Sequence, residues 1–292
     1  MKESTAHSLR KKVIQKYGSF TLDDCVELWD LYQSMGESFN RAEYSSTDQI
    51  LGQGLEGHNS CVDMVDALGV IVETRKSVDL EFVVTNFIQQ TKLPVQLFHG
   101  LGNKEFILSS KLSEYITSGE VILHELFTDS LKRSDYNAIF LTKHFWELLV
   151  SRGKIFVFQT DSIICENSES CIEDFLRFDY IGSKWQRERP IGLTIDGGSG
   201  GLSIRDWQKS MECLDAFPSR FWKGGEDGFF AFHIELIGGE VGTDEDCGRF
   251  STQEYFTHYS YGAHKASLLP ASQHEKFLKY CPEAEFMFVS KF

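Results

Sequence analysis

The stretch ALGVIVETRKSVDLEFVVTNFIQQTKLPVQLFHG, residues 67–100, decides the fold class. ALGVIVET is a short, continuous, β-branched apolar run, DLEFVVTNFIQQ has apolar residues at helical spacing, and PVQLFHG is strand-like again. This is a βαβ unit, whose right-handed crossover implies parallel strands with the helix packed on the sheet. Further along, VILHELF (121–127) is another strand candidate. The amphipathic YNAIFLTKHFWELLV (136–150) then precedes the strand KIFVFQ (154–159), repeating the alternation. The first half of the core reads as an open, mostly parallel α/β sheet flanked by helices. Such sheets bind ligands beyond the carboxyl ends of their strands, where Glu73, Thr74, Arg75 and Asp161 fall.

After Asp161 the alternation weakens. DYIGSKW (179–185) and IGLTID (191–196) read as strands, the Gly-rich GGSGG interrupts, and RDWQKSMECL (205–214) and EDGFFAFHIELI (226–237) read as helices. No internal repeat or linker divides this part, so residues 67–292 are expected to form one domain. Residues 1–66 read as an N-terminal extension of helices and loops. In TLDDCVELWDLYQSM (21–35), Thr21 is an N-cap candidate, and Leu22, Cys25, Val26, Trp29 and Tyr32 form one apolar stripe. The following SSTDQILGQGLEGHNS (45–60) is polar and Gly-rich and reads as a loop.

Composition excludes several classes. With 41% hydrophobic and 25% charged residues over 292 positions, the chain is an ordinary soluble globular sequence. A net charge of −14 gives no general attraction for nucleic acid or an anionic membrane, yet leaves room for one local basic pocket. The seven cysteines, Cys25, Cys61, Cys165, Cys171, Cys213, Cys247 and Cys281, are scattered and lack a CxxC pair. They read as reduced thiols in a cytoplasmic protein rather than a disulfide framework or zinc site. The basic N-terminus MKESTAHSLRKKVIQKYG precedes no apolar segment, and no stretch approaches the roughly 18 apolar residues of a membrane span.

Four features carry chemistry. In IDGGSGGLSIR (195–205), no GK[ST] follows the glycines, and Ser203 stands where a dinucleotide fingerprint needs its third glycine. Gly197, Gly198, Gly200 and Gly201 therefore mark either a turn with positive φ or, the preferred reading, a backbone that a ligand approaches closely. In FWKGGEDGFFAF (221–232), Glu226 and Asp227 open a helix, where acids are favoured by the dipole or can serve as a general base. His264, in HYSYGAHK, is by itself more readily a surface or packed residue than a ligand, since no HExxH or H-x-E partner stands nearby. Asp161 closes the strand KIFVFQ, where a single carboxylate can anchor a hard divalent cation that completes its shell with phosphate oxygens and water.

In order, ETR (73–75), FQTDS (158–162), DYIG (179–182), GGSGGLSIR (197–205), GGED (224–227), FSTQEYF (250–256) and GAHK (262–265) resemble a family of GT-A-fold glycosyltransferase-like proteins. That family's pattern runs E-T-R, F-Q-T-D-S, D-Y-I-G, G-N-G-G-x-S-L-R, E-D, F-S-x-E and G-x-H-K, and the resemblance covers about residues 67–268. It implies a GT-A-like, Rossmann-like fold and a glycosyltransferase, hexosyl or pentosyl, with a nucleotide-sugar donor, UDP-linked by expectation, and a glycan or other hydroxyl acceptor. The D-x-D slots of such folds fall on Gln159, Thr160 and Asp161. The resemblance thus makes Asp161 and His264 ligands of Mn²⁺, or Mg²⁺, on the diphosphate. Glu73, Thr74, Arg75, Gln159, Thr160 and Ser162 would contact the nucleotide sugar. Gly198, Ser199, Gly200, Gly201 and Lys265 would wall the donor-sugar and acceptor pocket. GGED also looks like the W-G-G-E-D-D region of inverting galactosyltransferases, which makes Asp227, or Glu226 beside it, the base. A non-catalytic nucleotide-sugar or carbohydrate-binding protein and a nucleotide-sugar hydrolase are the alternatives.

Overall fold

A computed structural model describes residues 3–19, 47–52, 66–188, 194–222 and 224–289. The expected strands form: β1 (Ala67–Glu73), β2 (Val95–His99), β3 (Val121–Glu125) and β4 (Lys154–Phe158). After them come β5 (Ser162–Ile164), β6 (Tyr180–Ser183), β7 (Ser199–Asp206), β8 (Ser251–Thr252) and β9 (Gly262–His264). The central sheet has the order β3-β2-β1-β4-β7-β6. β1 to β4 pair in parallel, and β7 runs antiparallel to both β4 and β6. The sheet is therefore mostly parallel, as the βαβ reading implies.

Alternation along the strands fills both faces. Leu68, Val70, Ile155 and Val157 pack with Trp146, Phe229 and Phe230 on one side. Ile71, Leu97, Phe156 and Phe158 meet Val83, Val84 and Phe87 of the helix Leu80–Thr91 on the other, with the Phe87 and Phe158 rings stacked at 4.4 Å. A second sheet, β5-β9-β8, lies under the C-terminal helix Ala271–Tyr280 and encloses Ile163, Phe256, Ala263 and Phe277.

Several expectations are corrected. The glycine run is not a loop interrupting the sheet: Gly197 and Gly198 turn with φ of 96° and 79°, and Gly200 and Gly201 lie inside β7. The single helix expected over 136–150 is two, Arg133–Phe140 and Lys143–Glu147, because the Trp146 indole N–H donates to the Phe140 carbonyl at 2.8 Å and closes the first helix. The helix expected from Arg205 starts at Trp207, with Asp206 as its N-cap accepting from Lys209 N at 2.9 Å. Within the expected loop 45–60, Thr47–Leu51 is helical, with Ile50 and Leu51 buried. In the expected strand IGLTID, Thr194 makes one isolated bridge to Glu188, and residues 191–193 lie outside the described residues, as does the expected helix 21–35.

Among the described residues of the extension, Ala6, Ile50 and Leu51 join the core. Helix Thr5–Tyr17 packs on helix Glu226–Leu236, its N-cap Ser4 is buried and donates to Glu235, and Thr5 N donates to Thr194 O at 2.8 Å. Cys165 and Cys281 form a disulfide, against the expectation of reduced thiols. They are 116 residues apart in sequence and are brought together by β5 and the end of the C-terminal helix, which no cysteine spacing reveals. Cys171, Cys213 and Cys247 stay outside the disulfide, and Cys25 and Cys61 lie outside the described residues.

Candidate active site

Chain connectivity reverses direction across the sheet between β1 and β4, so the crevice beyond their carboxyl ends is the switch point of the fold. A cleft of about 510 Å³ opens there. It is lined by Glu73, Thr74 and Arg75 after β1, by Gln159, Thr160 and Asp161 after β4, and by Ser199, Gly200 and Gly201 of β7. Glu226 and Asp227 at the helix start, and His264 and Lys265 at the end of β9, complete it. Of the site residues singled out in the sequence, Ser162, Gly197 and Gly198 do not line it. The Ser162 hydroxyl instead closes the turn that projects Asp161, donating to Gln159 O at 2.6 Å and accepting from Gln159 N at 3.1 Å. The Gly198 carbonyl accepts from the Tyr180 hydroxyl at 3.2 Å.

Asp161 and His264 meet through the small sheet. β5 pairs antiparallel with β9, Ser162 opposite His264, and Lys265 N donates to Asp161 O at 2.9 Å. Lys265 adopts a left-handed backbone (φ 46°, ψ 43°), which is sparsely populated for a side-chain-bearing residue and turns the chain at this point. His264 Nε2 lies 3.3 Å from Asp161 Oδ1, yet both atoms are buried and neither makes a directional hydrogen bond. The other ring nitrogen, Nδ1, is 2.7 Å from Gln253 Oε1. Burial lowers the His264 pKa, with Asp161 opposing it. Burial works to raise Asp161, but the neighbouring His264 and Lys265 keep its carboxyl below the usual value. A buried carboxylate oxygen and a buried imidazole nitrogen 3.3 Å apart are a ligand pair that fits a divalent metal. The Gly201 position is tied to the same ring: a Cβ there would come within 2.1 Å of His264.

Across the cleft the two adjacent acids separate. Glu226 is 4% exposed and forms a two-pronged ion pair with the fully buried Arg205, Nη1 to Oε2 and Nη2 to Oε1 at 3.1 Å. Burial raises the Glu226 pKa and Arg205 offsets part of that rise. Arg205 lies 5.1 Å from the Phe140 ring and 5.5 Å from that of Phe230. Asp227 is half-buried, accepting from Gly228 N at 2.8 Å and Gly200 N at 3.3 Å, and faces the cleft. Glu226 is thus committed to Arg205, and Asp227 is the acid available to a bound molecule.

At the β1 end, Glu73 is buried and works on its neighbours. Its carboxylate accepts from Arg75 N (2.8 Å), Nε (2.9 Å) and Nη2 (2.8 Å), and from the Thr160 hydroxyl (3.3 Å). This fork fixes the exposed Arg75 guanidinium at the rim rather than offering Glu73 to a ligand. Arg75, Lys132, Arg133 and Lys265 bring four cations into the cleft beside its four acids, Glu73, Asp161, Glu226 and Asp227.

The sequence reading missed Lys132 and Arg133, which start the helix Arg133–Phe140, and Tyr136, whose buried hydroxyl in the cleft lacks a hydrogen-bond partner. It also missed Gln253 and Arg205, although Gln253 occupies the last place of the F-S-x-E pattern and Arg205 the last of G-N-G-G-x-S-L-R. Elsewhere among the described residues, one group of three His, Cys, Asp or Glu ligand atoms falls within 4.8 Å, Cys165, Cys281 and Glu283, and the disulfide takes both sulfurs.

Residues 120–269, just over half of the chain, match the family described as "Protein of unknown function (DUF5672)". The chain belongs to the DUF5672 family. The match runs from β3 to beyond β9 and so takes in Asp161, the Glu226–Asp227 helix start and His264, whereas the β1 rim of this DUF5672 chain lies before it. No curated protein matches the sequence. Solved structures similar to it include Staphylococcus aureus TarS, at 10% identity and a TM-score of 0.42, over 68% of this chain and 36% of TarS. TarS residues 1–349 align at 9% identity and a TM-score of 0.43, over 76% and 65% of the two chains. The apo-form glycosyltransferase GlyE of Streptococcus pneumoniae TIGR4 aligns at 11% identity and a TM-score of 0.37, over 60% of this DUF5672 chain and 43% of GlyE. The chain thus spans about a third of the full TarS structure and less than half of GlyE. No helix among the described residues is long and apolar enough to cross a membrane.

Proposed function

We propose that the cleft is the active site of a metal-dependent, inverting glycosyltransferase that moves a hexosyl or pentosyl group from a UDP-linked donor to a hydroxyl of a glycan or other acceptor. The observation that carries this reading is the facing of a buried carboxylate oxygen and a buried ring nitrogen, Asp161 Oδ1 and His264 Nε2 at 3.3 Å, in a cleft that also presents Arg75, Lys132, Arg133 and Lys265 and, on its opposite side, Asp227. Asp161 and His264 would hold Mn²⁺ or Mg²⁺, which when bound supplies positive charge for a diphosphate leaving group. A carboxylate and an imidazole together suit Mn²⁺ at least as well as Mg²⁺.

The chain's own residues divide the remaining work. Arg75, held by Glu73, and Lys265 bind phosphate oxygens, and Thr74, Gln159 and Thr160 line the nucleotide side. Ser199, Gly200 and Gly201 wall the donor-sugar and acceptor pocket. Asp227 accepts the proton of the acceptor hydroxyl as its oxygen bonds to the sugar C1 from the face opposite the leaving group. The C1–O bond to the diphosphate breaks, its electron pair leaves with the nucleotide, and the anomeric configuration inverts. Glu226 takes no proton in this scheme, because Arg205 holds it as a carboxylate.

The test is a panel of nucleotide sugars offered to the pure protein with Mn²⁺ or with chelator, with glycan acceptors present, reading nucleotide release and product anomer. Transfer that requires metal and gives the inverted anomer supports the reading; absence of nucleotide-sugar binding in both conditions overturns it. Gln159, where a second acid is usual, favours the alternative of a binding protein, which metal-dependent binding without turnover would establish.

A further inference from the structure

The small sheet sets three side chains in a row. β8 runs parallel to β9 with Ser251 opposite Gly262 and Thr252 opposite Ala263, so the next residue, Gln253, comes level with His264. On the other side of β9, Ser162 of β5 lies opposite His264 and projects Asp161 from the adjoining turn. β8 is itself pinned by buried hydroxyl pairs, Ser251 with Ser183 at 2.7 Å and Thr252 with Ser260 at 2.8 Å. Gln253, 6% exposed, therefore lies on the far side of the His264 ring from Asp161, with its Oε1 2.7 Å from Nδ1.

We propose that Gln253 is the positioning residue of the site: it holds the His264 proton on Nδ1 and so presents the bare Nε2 lone pair toward Asp161. This rests on the metal-dependent reading above for its purpose, although the tautomer can be read without any metal. A carbonyl oxygen only accepts, so the 2.7 Å contact requires Nδ1 to donate, and a neutral ring then has no proton left for Nε2. The lack of a directional bond from Nε2 to Asp161 at 3.3 Å agrees with that assignment. The room left by Gly201, where a Cβ would lie 2.1 Å from the ring, lets the imidazole sit between its two partners. An outer partner that fixes tautomer and ring orientation is what a metal-binding histidine generally needs.

Two measurements test this. Imidazole ¹⁵N shifts of the metal-free protein at neutral pH should show His264 protonated at Nδ1, and Gln253→Leu should move the proton to Nε2, where it bonds to Asp161. Calorimetric titration with Mn²⁺ alone should show Gln253→Leu weakening affinity roughly 10- to 100-fold. Gln253→Asn, which shortens the side chain by one methylene, should lose affinity in the same direction and serves if the leucine variant misfolds. Gln253→Glu, which can still accept from Nδ1, should keep the wild-type tautomer and Mn²⁺ affinity. A wild-type ring protonated at Nε2, or unchanged Mn²⁺ affinity in Gln253→Leu, overturns the proposal and leaves the metal-dependent reading standing. A wild-type protein with the Nδ1 proton that binds no Mn²⁺ defeats that reading while leaving the tautomer assignment intact.

Discussion

The two sides of the cleft treat buried acids in opposite ways. At the Glu226–Asp227 side, a buried carboxylate is matched by a fully buried arginine, and the second acid is left half-exposed. At the Asp161–His264 side, a carboxylate oxygen and a ring nitrogen face one another at 3.3 Å without a directional hydrogen bond. One side is electrostatically complete in itself and the other is not. The complete side holds Asp227 in place; the incomplete side is where the proposed function places its cation.

Substitutions at the complete side should show the largest effects, and of two kinds. Asp227→Asn should cut transfer roughly 10²- to 10⁴-fold with nucleotide binding retained, as loss of a general base does. Rapid-quench turnover beside a binding isotherm separates the two quantities. Arg205→Met should cost about 3–5 kcal/mol in urea unfolding, because it strands Glu226 uncompensated in the core. Arg205→Met combined with Glu226→Leu should recover most of that loss; no recovery would mean that the pair is not what stabilises this side.

At the incomplete side the effects should be smaller on folding and concentrated on binding. The Cys165–Cys281 disulfide follows β5, four residues beyond Asp161, and ties it to the C-terminal helix. Cys165→Ser combined with Cys281→Ser should cost about 2–4 kcal/mol. Hydrogen exchange should quicken in β5 and β9 before it does in the helix that starts at Glu226. Equal acceleration on both sides would break the distinction drawn between them. Gly201→Ala should cost the least, roughly 1–3 kcal/mol by overpacking, and the same variant should weaken Mn²⁺ binding because its Cβ occupies the space of the His264 ring. Thermal melts and a Mn²⁺ titration of that variant check both halves of the statement.

How legible each side was in the sequence follows from the range of its interactions. β1 to β4 are apolar runs bounded by turns, and the pattern that makes them buried parallel strands lies within each run. β7 was concealed because two glycines stand inside it; they reflect close approach by His264 and Glu226, which lie on other elements, and by the Arg205 guanidinium of the same strand. β5, β8 and β9 are two or three residues long and exist through their mutual pairing, so no local period announces them. Family-like motifs marked Asp161, Asp227 and His264, and the fold brings all three to one cleft. They did not distinguish Glu226 from Asp227, because the arginine that decides between them lies 21 positions before Glu226 on β7. Ser162 resembled a ligand-facing hydroxyl for a similar reason: its bonds to Gln159 depend on the turn, which the letters alone do not display.

The central claim is that the Asp161–His264 pair awaits a cation that brings a nucleotide diphosphate with it. Calorimetric titration of UDP into the wild-type protein and into Asp161→Asn, each with Mn²⁺ and with chelator, tests it most directly. The account predicts binding to the wild type with Mn²⁺ alone, and loss of that metal dependence in Asp161→Asn. Equal UDP affinity in all four titrations, or no UDP binding to the wild type with Mn²⁺, would contradict it.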